Sequence, residues 1–309
     1  MNHRHVLSVD KYDRGLIDEL FNHARMLSAV AIGIGGNAPP MVQCKATGKT
    51  LVNLFYEPST RTSSSFHAAM LKLGGNVIPI NDVNYSSVSK GENLEDTVRA
   101  MASYADLIVL RHPEKGAVDR AAAVSPVPII NGGDGVGEHP TQALLDLYTI
   151  QSEHGVIDGL TVTLMGDLKH GRTVHSLVKL LRLFDVKINF VAPKCFSMPE
   201  EYVRPDDGVF TELDDAVIGT SDVIYLTRVQ WERFTDSAEK PSEYHGATYK
   251  YALTLDHMAN AKDKMIVMHP FPRVDELDPA IDSDPRAAYF RQMKNGLWVR
   301  MAIIDKVFW

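Results

Sequence analysis

The feature that most constrains the fold is an alternation of two kinds of segment along the 309 residues. Short runs rich in β-branched residues alternate with stretches whose apolar residues recur at helical spacing, a pattern typical of parallel β-α-β units. The predicted strands are 51–55, 76–80, 106–110, 127–131, 161–165, 187–191, 222–226 and 265–268. These strands predict an α/β fold with two doubly wound parallel-sheet domains.

The segment 139–155 marks the expected junction of the two domains. Pro140 suits the first turn of a helix and Gly155 suits the position after its last turn, so this helix is predicted to join the domains. At roughly 150 residues per domain, we expect one domain over 1–150 and a second over 151–309.

The last part of the chain is predicted to return to the first domain. Met301, Ile304 and Phe308 share one helical spacing, so a closing helix is expected over about 291–309. Two further segments are predicted surface loops: 33–40, which is rich in glycine and proline, and 235–249, which is charged and poor in apolar residues.

Composition excludes several classes of protein. Acidic residues outnumber lysine and arginine by 39 to 32, a net charge of −7, which argues against a generic nucleic-acid binder. No run approaches the ~18 apolar residues of a membrane span. With two cysteines, Cys44 and Cys195, and no apolar signal sequence at residue 1, we expect a cytoplasmic protein without disulfides.

Cationic or hydrogen-bonding side chains follow six of the predicted strands. In open parallel sheets, ligands bind beyond the carboxyl ends of the strands, so these side chains are candidate ligand residues. In chain order they are Arg61, Arg111, His139 with Gln142, Arg172, Arg228, and His269 with Arg273.

The first of these strand ends predicts an anion site. Ser59, Thr60, Arg61 and Thr62 precede a helix whose apolar face includes Phe66. Hydroxyls and backbone N–H groups therefore cluster at a helix N-terminus, and an arginine adds charge and bidentate geometry. An ordinary helix cap would explain one hydroxyl but not three hydroxyls and an arginine.

Other chemistries fit the sequence less well. His170 and His175 have no third metal ligand at regular spacing, so no metal site is expected. The glycines of 132–137 follow a strand, but the acidic residue that a dinucleotide-binding fold places about 20 positions later is missing. Neither cysteine lies at a strand end, and His112 and His257 are interpreted as structural or surface residues.

The motifs at these strand ends resemble those of the aspartate carbamoyltransferase family. The resemblance runs in order from about His5 to the C-terminus. It is carried by the motifs STRT at 59–62, RHP at 111–113, HPTQ at 139–142, GDLKHGR at 166–172, RVQ at 228–230 and HPFPR at 269–273. The family moves the carbamoyl group of carbamoyl phosphate to L-aspartate at the start of pyrimidine synthesis, without a metal or organic cofactor.

The resemblance implies a role for each matching residue. Phosphate would be held by Ser59, Thr60, Arg61, Thr62 and Arg111. The carbamoyl oxygen would meet Arg61, Thr62, Arg111 and His139, and the carbamoyl nitrogen would meet Gln142. The aspartate carboxylates would bind Arg172, Arg228 and Gln230, and main-chain carbonyls near Pro270, Phe271 and Pro272 would face the transferred group.

The resemblance also implies a homotrimer with shared active sites, in which Ser86 and Lys90 reach into the site of a neighbouring subunit. It leaves open whether regulatory chains or other pathway enzymes bind. Position 271 is phenylalanine where the family often has a smaller aliphatic residue, and this change could alter loop closure.

Three alternatives remain at this point. An ornithine carbamoyltransferase would share the phosphate-binding residues, but it typically carries a cysteine where this chain reads HPFP at 269–272. Arg228 followed by Gln230 favours a dicarboxylate substrate. The second alternative is a carbamoyltransferase for another amine, and the third is a catalytically silent scaffold. A silent paralogue would be expected to have lost strand-end residues, and these are all present here.

Overall fold

The computed structural model describes residues 5–32, 45–81, 90–230 and 251–308. Its first sheet has four parallel strands in the order β2-β1-β3-β4. They are β1 (Thr50–Phe55), β2 (Asn76–Ile80), β3 (Leu107–His112) and β4 (Ile129–Asp134). Helices α1 (Arg14–Ile32), α2 (Thr60–Lys72), α3 (Leu94–Ala102), α4 (Ala117–Val124) and α5 (Pro140–His154) precede or follow these strands.

The second sheet has five parallel strands in the order β7-β6-β5-β8-β9. They are β5 (Thr161–Gly166), β6 (Lys187–Val191), β7 (Gly208–Phe210), β8 (Val223–Thr227) and β9 (Ile266–Met268). The helices of this half are α6 (Arg172–Leu181), α7 (Asp215–Thr220) and α8 (Leu255–Ala259), and the chain ends in α9 (Tyr289–Phe308). Both sheets are parallel, and the predicted α/β fold is confirmed.

Buried apolar strands explain why these sheets form. Strand β3 is buried over its first four residues, as expected for a parallel sheet covered on both faces. In the first half, Val52 and Ile108 pack in one cluster with Val98 of α3 and Val118 of α4. The regular alternation of strand and helix in the sequence therefore reflects helices that cover the sheet.

Each sheet has a point where the strand order reverses. In the first sheet, the chain moves from β1 to β2 in one direction and then continues on the other side of β1 with β3 and β4. In the second, β5 is followed outward by β6 and β7, and then by β8 and β9 on its other side. Ligands of open α/β sheets bind beyond the strand ends at such points. The candidate positions are thus the ends of β1 and β3, and the ends of β5 and β8.

The chain forms two compact units. One comprises Met1–Tyr148 and Lys294–Trp309, and the other comprises Thr149–Met293. The chain passes from the first unit to the second within α5 and returns within α9. Most of the C-terminal helix therefore belongs to the first unit, where Met301 and Ile304 are fully buried.

Most of the predicted strand bounds agree with the structure to within two residues, and β7 and β4 show the clearest differences. Strand β7 was not predicted, because it has only three residues, none of them buried, and pairs with β6 alone. Strand β4 begins at Ile129, two residues later than expected, and continues through two glycines to Asp134. The expected loops at 33–40 and 235–249 lie outside the described residues. Among the described helices, none is long and apolar enough to cross a membrane.

Candidate active site

The end of β1 and the end of β3 are joined by direct backbone contacts. Phe55 lies opposite Arg111 in the parallel register, and the Tyr56 amide donates to the Arg111 carbonyl at 2.9 Å. The predicted anion-binding residues and Arg111 therefore follow adjacent strands at the switch point of the first sheet.

Helix α2 begins immediately after this point. Ser59 is its N-cap residue, but the Ser59 side chain makes no capping hydrogen bond. The first turn of a helix carries N–H groups without intrahelical partners, and its dipole favours an anion. Thr60 and Arg61 are exposed, whereas Thr62 is buried. The N-terminus of α2 thus combines hydroxyls, backbone donors and a cation at a surface.

Arg111 is held in place by two acceptors. Its Nε donates to Glu57 Oε2 at 3.1 Å, and its Nη1 donates to the Gly132 carbonyl at 3.4 Å. Glu57 follows β1, and Gly132 lies in β4. Since β1 and β4 are the two neighbours of β3, the Arg111 guanidinium is oriented from both sides of its own strand. Because an arginine fork recognises phosphate through a fixed plane, this orientation is what a bidentate contact needs.

His139 and Gln142 stand at the start of α5. His139 is buried, and its Nε2 lies 3.5 Å from Thr62 Oγ1 on α2, a long contact for this pair. One turn later, Gln142 Nε2 donates to Asp146 Oδ1 at 2.9 Å. The structure thus places His139, which follows β4, next to the first turn of α2.

In the second unit, the fully buried Asp167 organises the ends of β5 and β8. Its Oδ1 accepts from the His170 amide at 3.0 Å, and its Oδ2 accepts from the Gln230 amide at 3.4 Å. The Thr227 hydroxyl donates to the Asp167 carbonyl at 3.3 Å. One carboxylate therefore ties together the two loops that carry the predicted aspartate ligands.

The predicted carboxylate ligands lie on these two loops. Arg172 is the first residue of α6 and is almost completely buried. Arg228 and Gln230 directly follow β8 and are partly exposed; Gln230 Nε2 donates to the His170 carbonyl at 3.2 Å. Two guanidinium groups and an amide at one switch point form a set of donors suited to carboxylates.

The segment after β9 is fixed by His269. The Phe271 amide donates to His269 Nδ1 at 2.8 Å, so Nδ1 of the neutral ring is an acceptor and Nε2 carries the proton. Nε2 then donates to Glu276 Oε1 at 2.6 Å. Burial acts to raise the pKa of Glu276, but the hydrogen bonds from His269 and from backbone amides hold this pKa below its ordinary value.

Phe271 has an unusual backbone. Its φ is +53°, in the left-handed region that non-glycine residues rarely adopt. Its ring packs against Tyr289 and Phe290, with centroids 5.6 and 5.8 Å away, and Arg273 lies 5.7 Å over it. Such backbone conformations persist where the surroundings enforce them, and they cluster at functional sites.

The histidines considered as metal ligands have structural partners. His170 Nδ1 lies 3.1 Å from Asp167 Oδ1, and His175 Nε2 lies 2.8 Å from the Leu168 carbonyl, stacked on Tyr202. Burial lowers the pKa of His175. In the described ranges no group of histidine, cysteine and acidic residues could hold a metal ion. His257 belongs to the capping box of α8, and the His112 ring packs on Tyr56 at 4.6 Å.

Ser86 lies outside the described residues, whereas Lys90 is described and exposed. Lys90 immediately precedes an anchored segment. In this segment Asn93 caps α3, because Asn93 Oδ1 accepts from the Asp96 amide at 2.8 Å. Thr97 donates to Glu92 Oε2 at 2.8 Å.

Four acidic residues with a positioning role were not found from the sequence: Glu57, Asp146, Asp167 and Glu276. Asp167 stands within the motif at 166–172 and Glu57 lies two residues before the motif at 59–62, so their positions could have indicated them. Asp146 and Glu276 lie outside those motifs, and only the folded structure brings them to Gln142 and His269.

Two family models match the chain. The carbamoyl-phosphate-binding domain of aspartate/ornithine carbamoyltransferases matches residues 4–152, and the Asp/Orn-binding domain of the same proteins matches residues 158–307. The chain belongs to this family. The family resemblance inferred from the sequence is thereby confirmed.

Relatives in the family are similar over the whole chain. An aspartate carbamoyltransferase catalytic subunit from Thermoplasma volcanium is 46% identical over 312 residues, which is 99% of both chains. The multifunctional protein pyr1-3 of Dictyostelium discoideum is 47% identical over 99% of this chain, but the chain spans only 13% of that protein's length. The multifunctional protein CAD of Squalus acanthias is likewise matched over 13% of its length.

Solved structures of the family have the same fold. The aspartate transcarbamoylase of Trypanosoma cruzi in complex with carbamoyl phosphate gives a TM-score of 0.90 at 44% identity, covering 98% of this chain and 95% of that one. The same enzyme in complex with N-(phosphonacetyl)-L-aspartic acid gives 0.88 at 43% identity with the same coverage.

Proposed function

We propose that the chain transfers the carbamoyl group of carbamoyl phosphate to the amino group of L-aspartate, giving N-carbamoyl-L-aspartate and phosphate for pyrimidine synthesis. The observation that carries the proposal is that the candidate donor residues follow the strands at the switch point of each sheet. Phosphate-type donors lie at the ends of β1 and β3, and carboxylate-type donors lie at the ends of β5 and β8. The Trypanosoma cruzi relative binds carbamoyl phosphate, which supports the assignment of substrate.

The phosphate and carbamoyl groups bind the first unit in this proposal. The N-terminus of α2, with Ser59, Thr60, Arg61 and Thr62, receives the phosphate together with Arg111. Arg61, Thr62, Arg111 and His139 surround the carbamoyl oxygen, and Gln142 meets the carbamoyl nitrogen. Cations and fixed donors aimed at that oxygen stabilise the negative charge that develops on it during attack.

L-Aspartate is the second substrate in this proposal. Its carboxylates bind Arg172, Arg228 and Gln230, and its uncharged amine attacks the carbamoyl carbon. The new C–N bond forms as the C–O bond to phosphate breaks, and the amine proton passes to the departing phosphate. Orientation of the two substrates alone can lower the barrier by several kcal/mol, up to about 7–11. No covalent intermediate with the protein is required.

The main-chain carbonyls of Pro270, Phe271 and Pro272 complete the proposed contacts to the transferred group and the amine. Their support is the rigid segment held by His269 and Glu276. The bulky Phe271 side chain packs on two aromatic neighbours, Tyr289 and Phe290.

We also infer a homotrimer in which Ser86 and Lys90 reach a neighbouring subunit's site, and a cytoplasmic location. The exposure of Lys90 next to the anchored start of α3 supports the first inference. Mixing inactive Lys90→Ala chains with inactive Arg61→Ala chains should restore turnover. The matched control mixes Arg61→Ala with Arg172→Ala, since both residues are assigned to one chain's own site. Recovery in the control, or none in verified Lys90→Ala/Arg61→Ala trimers, contradicts shared sites.

The experiment that tests the activity measures phosphate release from carbamoyl phosphate with L-aspartate, L-ornithine and other amines in parallel. Turnover with aspartate is expected. Turnover with ornithine and none with aspartate would reject the proposal, and the absence of turnover with any amine would favour a silent scaffold.

A further inference from the structure

A buried arginine lies behind the proposed carbamoyl site. Arg300 of α9 is 4% exposed, and its Nη1 donates to Ser65 Oγ of α2 at 2.9 Å. Its guanidinium carbon lies 5.2 Å over the Phe66 ring. A buried charge is costly unless a countercharge lies close to it. The proposed chemistry gives Arg300 no role.

The countercharge comes from Asp146 of α5. Asp146 is fully buried and interacts electrostatically with Arg300. Burial lowers the pKa of Arg300 to about 10, while the charge of Asp146 acts in the opposite direction. Arg300 is therefore still a cation at neutral pH. The oxygens of a carboxylate that balances such a cation accept hydrogen bonds and cannot donate them.

This requirement fixes the side-chain amide of Gln142. Asp146 Oδ1 accepts from the NH2 group of Gln142, with an Nε2–Oδ1 distance of 2.9 Å. Gln142 is partly exposed whereas Asp146 is fully buried, so the remaining end of the amide is the end open to a ligand. That end is the carbonyl oxygen, an acceptor. A ligand group at this position is favoured when it offers an N–H donor.

We propose that Asp146, paired with Arg300, sets the orientation of the Gln142 amide and thereby selects carbamoyl phosphate over acyl phosphates that lack an N–H group. The inference rests on the proposed function, which brings the carbamoyl nitrogen to Gln142. Acetyl phosphate has a methyl group in place of that nitrogen and would leave the Gln142 oxygen without a donor. Sites built to hydrogen-bond a substrate N–H discriminate strongly against analogues without one. Asp146 is a positioning residue in this account, since it acts through Gln142.

The test compares kcat/KM for carbamoyl phosphate and for acetyl phosphate, each with saturating L-aspartate and phosphate release as the readout. In the Asp146→Asn variant, the new amide can present either its oxygen or its NH2 group to Gln142, so the orientation is no longer imposed. We expect the ratio of the two kcat/KM values to fall at least tenfold. A merely structural disturbance of α5 would lower both values in proportion, and an unchanged ratio in a folded variant overturns the inference.

Two further variants cover the case in which Asp146→Asn does not fold and the case in which Asp146 acts by a route other than Gln142. The double variant Asp146→Asn/Arg300→Met removes both buried charges together, and the same fall in the ratio is expected. In a Gln142→Met background, Asp146→Asn should change the ratio no further; an additional fall contradicts an action through Gln142.

Glu153→Gln is the matched control, because Glu153 also lies on α5 and pairs with an arginine of α9, Arg291, at 2.7 Å, but on the surface. Its ratio should equal that of the parent, and an equal fall in this control contradicts the inference. The parent protein separates the two proposals. If the parent does not turn over carbamoyl phosphate with aspartate, the proposed function is refuted. If the parent is active but Asp146→Asn leaves the ratio of the two kcat/KM values unchanged, only the role of Asp146 is refuted.

Discussion

Replacing Glu276 by glutamine should loosen the segment that follows β9. Both carboxylate oxygens of Glu276 accept hydrogen bonds: Oε1 accepts from His269 Nε2, and Oε2 accepts from the Val274 and Asp275 amides at 3.2 Å each. The Glu276→Gln change turns one oxygen into an NH2 group, which then faces an N–H donor. A buried donor left without an acceptor costs about 1–3 kcal/mol, so we take about 2 kcal/mol for the loss.

Hydrogen exchange measured by mass spectrometry checks this value directly in the segment 269–276. The amides of His269 and Phe271 depend on the same arrangement, because they donate to Gln292 Oε1 and His269 Nδ1 at 2.9 and 2.8 Å. A loss of about 2 kcal/mol in local opening free energy corresponds to exchange about 30-fold faster. The surface variant Glu153→Gln serves as the control and should lose about 1 kcal/mol at most.

Exchange within about threefold of the parent in this segment would contradict a supporting role of Glu276, since three donors would then have lost little. A functional readout accompanies the exchange experiment. Because the carbonyls of this segment are proposed to face the transferred group, kcat should fall in the variant while the affinity for phosphate stays close to the parent value.

The remaining predictions concern charge, backbone and pH. Arg61→Ala should lower kcat by at least about 100-fold with an unchanged circular dichroism spectrum, because it removes the cation proposed to meet the carbamoyl oxygen; near-normal turnover would place the anion site elsewhere. Gly166→Ala should destabilise the second unit by more than about 3 kcal/mol in urea unfolding, since φ is +113° and a Cβ would lie 2.0 Å from the Thr227 carbonyl. A stable variant would contradict this packing. Burial acts to raise the pKa of Asp305, but the hydrogen bonds of His23 and Lys45 hold it below its ordinary value. Asp305→Asn should therefore cost about 2 kcal/mol at neutral pH, and the difference in unfolding free energy from the parent should shrink as the pH falls below about 4; a difference independent of pH would contradict the ion pair.

The strands could be predicted from the sequence because buried parallel strands leave continuous apolar runs. Strand β6 has the predicted bounds, and β5 differs from the prediction by one residue. Strand β7 could not be predicted, because its three unburied residues are held by backbone pairing with β6 rather than by apolar burial. The first two glycines of 132–137 were predicted to follow the strand, yet they lie within β4, where a register shift beside His112 accommodates them.

The C-terminal helix contains a glycine whose reason lies in packing. The structure begins α9 at Tyr289, two residues before the predicted start, and Gly296 lies inside the helix. A Cβ at Gly296 would stand 3.0 Å from Leu145 Cδ2 and 3.1 Å from Arg300 Nη1. Glycine is therefore present because α5 and the Arg300 guanidinium approach the helix closely. That reason appears only after the chain has folded.

The residues that orient the candidate ligand groups were harder to predict than the ligand groups themselves. Arginines and hydroxyls at strand ends are visible because parallel topology concentrates them in short motifs. Asp146 and Glu276 act through Gln142 and His269, and in the sequence they look like ordinary acidic residues of a helix and a loop. Their burial and hydrogen bonds distinguish them, and these are tertiary properties.

The most direct test of the central claim supplies carbamoyl phosphate labelled with 13C at the carbamoyl carbon, together with equal concentrations of L-aspartate and L-ornithine. Mass spectrometry then identifies the labelled product. We expect the label in N-carbamoyl-L-aspartate, with one phosphate released per carbamoyl group transferred. Label in the carbamoylated ornithine, with none in the aspartate product, would contradict the claim.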